Sequence, residues 1–116
     1  MPKGGNMGDA IKFVQTATIS TGGTLQIVYT HDPTGKASKV GVISAYVASG
    51  TQTGDVSIKY GNDITNTVEI AGGQLSSSSP SLVFSPNFVI HPGQVIIFDL
   101  ATITAGDVVR VMVGGH

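Results

Sequence analysis

Ionic and metal-binding chemistry in this 116-residue chain rests on three histidines, seven carboxylates and six basic side chains, because cysteine is absent and no thiolate site can form. His31, His91 and His116 each fall in an expected turn or at the terminus. None has the i, i+2 or i+4 spacing of a metal pair, so solvated imidazoles are expected. His31 beside Asp32 would begin a divalent site only if His91 came near. The acids Asp9, Asp32, Asp55, Asp63, Glu69, Asp99 and Asp107 are scattered, mostly next to Gly or Pro, where a carboxylate commonly bonds its own backbone in a turn. Asn62, Asp63 and Glu69 come nearest to a calcium loop, but the alternating carboxylates of such a loop are missing and turn chemistry accounts for them. No Gly-x-Ser-x-Gly elbow, phosphate loop or dinucleotide fingerprint occurs. The expectation is a non-enzymatic protein with no cofactor and no metal.

Asp99 stands apart because it interrupts the face that carries Val95 and Ile97 on an otherwise apolar segment. A carboxylate on a buried face needs a partner, and Arg110 in the last apolar segment is the candidate for a structural ion pair. The basic residues Lys3, Lys12, Lys36, Lys39, Lys59 and Arg110 are dispersed and the net charge is −1, so nucleic-acid binding is not expected. Sugar binding through flat exposed aromatics is disfavoured too. There is no Trp, and Phe13, Tyr29, Tyr46, Tyr60, Phe84, Phe88 and Phe98 mostly occupy positions that alternation assigns to a core.

The elements that must hold these groups read as strands. Residues 11–20 alternate apolar and polar with period two, and residues 24–31 do the same after Thr21-Gly22-Gly23, so the two are expected to form a first hairpin. Residues 39–49 place Val40, Val42, Tyr46 and Ala48 on one face and Ile43, Ala45 and Val47 on the other. Residues 55–60 and 67–71 give two more strands about an Asn-Asp turn. Residues 71–81 read as an exposed Gly/Ser loop. Residues 82–90 read as one strand broken at Ser85-Pro86-Asn87, and His91-Pro92-Gly93-Gln94 has the order of a type II turn. The apolar runs 95–101 and 108–113 close the chain as a second hairpin. About eight strands and no helical period indicate an all-β protein, a single antiparallel β-sandwich of jelly-roll-like or related Greek-key topology over residues 11–116. Residues 1–10 read as a flexible N-terminal arm, with Met7 an alternative start. No apolar run suits a membrane helix or a signal-peptide core, so neither insertion nor export is expected.

Only 11% of the residues are charged, against about 25% in an ordinary soluble domain. Thr, Ser, Gly, Asn and Gln replace them, giving a polar surface that costs little to desolvate. Strands apolar on both faces need cover, and Ile43, Val47, Val95, Ile97, Val108 and Met112 are the expected oligomer or partner interface.

Residues 39–60, KVGVISAYVASGTQTGDVSIKY, followed by a Pro-Gly, apolar strand, Ala-Gly-Asp and Val-x-Val-x-Val ending at 92–113, resemble the small β-sandwich virion proteins of tailed bacteriophages. The likeness covers about two-thirds of the chain and rests on pattern. It implies a capsid decoration or head-associated protein, located in the virion and assembled in the host cytoplasm. The sparse charge and the two-faced strands point separately to a homo-oligomer, trimer or dimer, and the likeness adds the major capsid protein or another virion protein as partner; neither nucleic acid nor membrane is expected. The alternative is a carbohydrate- or receptor-binding β-sandwich module of a tail or fibre.

Overall fold

A computed structural model describes residues 11–18, 25–49, 54–76, 81–101 and 107–115. The expected N-terminal arm, the Thr21-Gly22-Gly23 turn, residues 50–53, residues 77–80 of the expected Gly/Ser loop, residues 102–106 and His116 lie outside them. Period-two alternation becomes nine strands: β1 (Ile11–Thr18), β2 (Leu25–Thr30), β3 (Ser38–Ser49), β4 (Gly54–Asp63), β5 (Asn66–Leu75), β6 (Ser81–Phe84), β7 (Phe88–Ile90), β8 (Val95–Ala101) and β9 (Val108–Gly115). They form two antiparallel sheets. The first, sheet A, has the order β1-β9-β3-β6, with β7 also pairing to β3; the second, sheet B, has the order β2-β8-β4-β5.

This is the winding of a jelly roll, in which the chain passes repeatedly from one sheet to the other. It corrects two expectations. β1 pairs with β9 and β2 pairs with β8, so the first two strands are not a hairpin, and β8 and β9 likewise lie in different sheets. β4 and β5 do form a hairpin. β5 extends to Leu75, so the front of the Gly/Ser segment is a strand and not a loop. β6 and β7 run along the same edge of β3, separated by residues 85–87.

Inward positions of the two sheets meet in one core. Phe98 is fully buried on β8, with Ile27 on β2 and Ile58 on β4 opposite it, and Ile43, Ala45 and Val47 of β3 lie beside Val113, Val111 and Val109 of β9. Burial of each such large side chain contributes about 1.5–3 kcal/mol. A register shift at Gly41 in β3 turns Val40 inward with Ile43, although strict alternation would put it on the other face with Val42.

The centre of sheet B is buried on both sides. Val95 and Ile97 point away from the core yet are 4% and 1% exposed. Val28 and Lys59 flank Ile97 on the neighbouring strands, and Lys59 reaches from there to Asp99, so its aliphatic stem lies alongside Ile97.

Candidate functional site

Because alternation sends one side of every strand outward, each sheet presents a face whose chemistry follows from its register. On sheet A, one transverse row reads Val14, Met112, Ser44, Val83, and the next reads Thr16, Arg110, Tyr46, Ser81. Val14 is 58% and Val83 61% exposed, and Met112 and Val42 are half-buried between them. Arg110 is held down across its row. Its Nε donates to Thr16 Oγ1 at 3.1 Å, its Nη1 donates to Tyr46 Oη at 3.0 Å, and its guanidinium lies 5.7 Å from the Tyr46 ring centre.

Lys12 on β1 and Lys39 on β3 face the same way. The described residues of this face thus carry three cations and no carboxylate.

The outer face of sheet B has the opposite balance, with Asp55, Glu69 and Asp99 against one lysine. Its polar groups satisfy one another: Lys59 Nζ lies 2.8 Å from Asp99 Oδ2, Gln26 donates to Asp99, Ser57 to Glu69 and Gln74 to Asp55. Partial burial works to raise the Asp99 carboxyl, but the bonds from Lys59 and Gln26 and the lysine charge outweigh it and leave it below its ordinary value. The same bond and the Asp99 charge raise Lys59. The expected Asp99–Arg110 ion pair is therefore corrected. β8 and β9 belong to different layers, and the two side chains lie on opposite outer faces of the sandwich.

The six expected interface residues divide in the same way. Ile43 and Val47 belong to the core, and Val95 and Ile97 are covered within the chain, so none of these four offers surface to a partner. Only Val108 and Met112 remain half-exposed, both on the outer face of sheet A. Val14 and Val83 are the larger exposed members of that face. Their signal was the regular alternation of β1 and β6, which says that one face is outward but not that the outward rows align.

His31 corrects another expectation, because it is buried at 6% exposure. Its Nε2 donates to the Lys36 carbonyl and its Nδ1 accepts from the Tyr29 hydroxyl, both at 2.6 Å, so neither nitrogen is left for a metal. Burial, then the Asp32 charge, push the Tyr29 phenol up. His91 is exposed, and no group of three or more His, Asp or Glu side chains converges among the described residues.

At the other end of β4, a polar network joins the hairpin tip to the turn before β8. Gly93, at φ 86°, allows the His91–Gln94 turn expected from its Pro-Gly order. That turn presents Gln94, whose Oε1 accepts from Tyr60 Oη at 2.7 Å and from the His91 amide at 2.9 Å, while its Nε2 donates to Asn62 Oδ1 at 2.9 Å. In the tip, Asp63 accepts from the backbone and side chains of Thr65 and Asn66. Those bonds, led by the Thr65 hydroxyl, hold its carboxyl down at about 2. The network borders an open depression of about 430 Å³. Sequence reading missed this cluster because its members lie more than thirty residues apart; the density of Asn and Thr at 62–67 was the available signal.

No family model matches the chain, and no curated protein matches it. Among solved structures, it is similar to that of the Drosophila NLP core, which is described for insight into pentamer formation and histone binding. The likeness has 9% identity and a TM-score of 0.42 over 90% of this chain and 97% of that one. So remote a likeness does not bear on function.

Proposed function

We propose that this protein is a non-enzymatic structural component of a virion, a capsid decoration or head-associated protein, that self-assembles through the outer face of sheet A and binds the particle surface. The observation that carries the self-assembly is the aligned row Val14, Met112, Ser44, Val83, in which three of four strands contribute an apolar side chain beside a pinned Arg110. The virion setting rests on the pattern shared with phage β-sandwich proteins, and with it go the capsid partner, the location in the particle and assembly in the host cytoplasm.

Charge selects the mode of contact. Pairing this face with its own copy about a two-fold axis would bring cations against cations, whereas sheet B of a neighbour offers carboxylates. A head-to-tail contact of sheet A on a neighbour's sheet B fits the charges and, because the two faces lie on opposite sides of the sandwich, stacks copies in a row, and an acidic patch on a capsid protein would fit sheet A equally.

Native mass by light scattering across a dilution series tests the reading. The wild type is expected to form oligomers that grow with concentration and whose dissociation is promoted by raising salt from about 0.05 to 0.5 M, because screening weakens contacts between opposite charges. V14K/V83K is expected to be a folded monomer, since both sites are exposed. A wild-type monomer at every concentration would overturn self-assembly, and absence of the protein from purified particles would overturn the virion setting.

A further inference from the structure

The depression at the tip of the β4–β5 hairpin is built differently from the assembly face and does not depend on it. Tyr60 and Val68 pair across the hairpin on the side that faces the core elsewhere in sheet B. Tyr60 packs at a tilt against Phe88 of β7, with ring centres 4.5 Å apart, but Val68 is 61% exposed. The inner surface of the hairpin thus becomes an open apolar floor near its tip. The walls are uncharged amides and hydroxyls, with Asn62 and Gln94 on one side and Asn66 and Thr67 on the other.

The amides are already oriented. Gln94 Nε2 donates to Asn62 Oδ1, which leaves Asn62 Nδ2 as a donor with no partner among the described residues. Asn66 Nδ2 is spent on Asp63 and Thr65, which leaves Asn66 Oδ1 as an acceptor with no partner among the described residues. The one carboxylate nearby, Asp63, is saturated by the turn. A fixed donor and a fixed acceptor over an apolar floor match a ligand that carries hydroxyls, each of which donates and accepts, on a ring with a C–H face. The missing charge disfavours anions and cations.

We propose that this depression is a binding site for an uncharged saccharide, with Asn62 and Asn66 taking its hydroxyls and Val68 its apolar face. The site is shallow, so affinity is expected near a Kd of about 1 mM for a short oligosaccharide.

The test is a two-dimensional NMR titration of the full chain with cellotriose, maltotriose and N-acetylated chitotriose, with sialyllactose, a heparin fragment and uncharged tripeptides as comparisons. A neutral saccharide is expected to shift the side-chain amides of Asn62 and Gln94. N62A is expected to weaken that binding about tenfold, the effect of one lost hydrogen bond. V68K, at an exposed site that leaves the fold intact, is expected to abolish it. No shift with any neutral saccharide, equal shifts with the charged ones, shifts with the tripeptides alone, or unchanged binding by V68K would each overturn the assignment.

Discussion

Lys59 faces Ile97 across the β4–β8 ladder while its ammonium lies 2.8 Å from Asp99, two residues further along the same strand. One side chain thus supplies both a charge partner and cover for an outward-pointing isoleucine. K59M, which keeps the stem, is expected to retain more stability than K59A, which uncovers Ile97. Urea midpoints compare them, and equal losses would show that the charge alone matters. The pH limbs follow from the shifts. Lys59 is raised, so its contribution is full below about 10.4 and is lost as pH climbs through its folded value. Asp99 is lowered, so its contribution is full above about 3.9 and is lost as pH falls through its folded value. D99N is expected to flatten both limbs.

Asp63 organises the hairpin tip with a carboxyl held at about 2. A depressed acid stabilises above its unfolded value, about 3.9, and that contribution disappears as pH falls toward 2. The amide signals of Thr65 and Asn66 are expected to stay native at pH 3 and to move together below it. Titration of the Asp63 side chain near 4 would contradict the arrangement.

Tyr29→Phe removes the donor to His31 Nδ1 and leaves a buried ring nitrogen without its partner. A loss of about 1–3 kcal/mol is expected in denaturant unfolding. His31→Phe in the same background is expected to recover only part of it, because the 29/31 pair is then apolar while the Lys36 carbonyl loses its donor.

Gly61 and Gly93 are required for different reasons. A Cβ on Gly61 would overlap the Asn66 carbonyl oxygen, whereas a Cβ on Gly93 meets no described atom within 4 Å and is opposed only by its positive φ. G61A is expected to cost on the order of 3 kcal/mol and to disturb the hairpin signals. G93A is expected to cost about 1–2 kcal/mol. Thermal melts of the two variants make the comparison, and equal costs would contradict the close approach at Gly61.

The layer architecture was legible because alternation identifies strands and the faces they bury. Which strand lies beside which was not, since a turn that crosses between sheets uses the same Gly and Thr residues as a hairpin turn. That is why β1–β2 and β8–β9 read as hairpins, and why Asp99 was assigned to Arg110 when its neighbour in space is Lys59 on β4. Alternation also failed at Gly41, where one extra residue reverses the face of Val40. Ile97 read as needing a second molecule because a lysine opposite it counts as polar in sequence, whatever its four methylenes cover. The depression at the hairpin tip was signalled only by the Asn and Thr at 62–67, since Asn62 and Gln94 meet only once β4 and the turn before β8 are side by side.

The place of β9 between β1 and β3 also bears on how the protein is made. Ile11 lies opposite Gly115, and Thr18 opposite Val108, so the first described strand has no ladder partner until residues 108–115 have been synthesised. On the ribosome, sheet A remains open while the β4–β5 hairpin, whose partners are adjacent in sequence, is free to form. Closure is expected to be slow and to follow release of residue 115 from the exit tunnel. Nascent chains arrested before that point should remain protease-sensitive at β1, and the apolar inner faces of β1 and β3 are then exposed to whatever chaperones the cell provides.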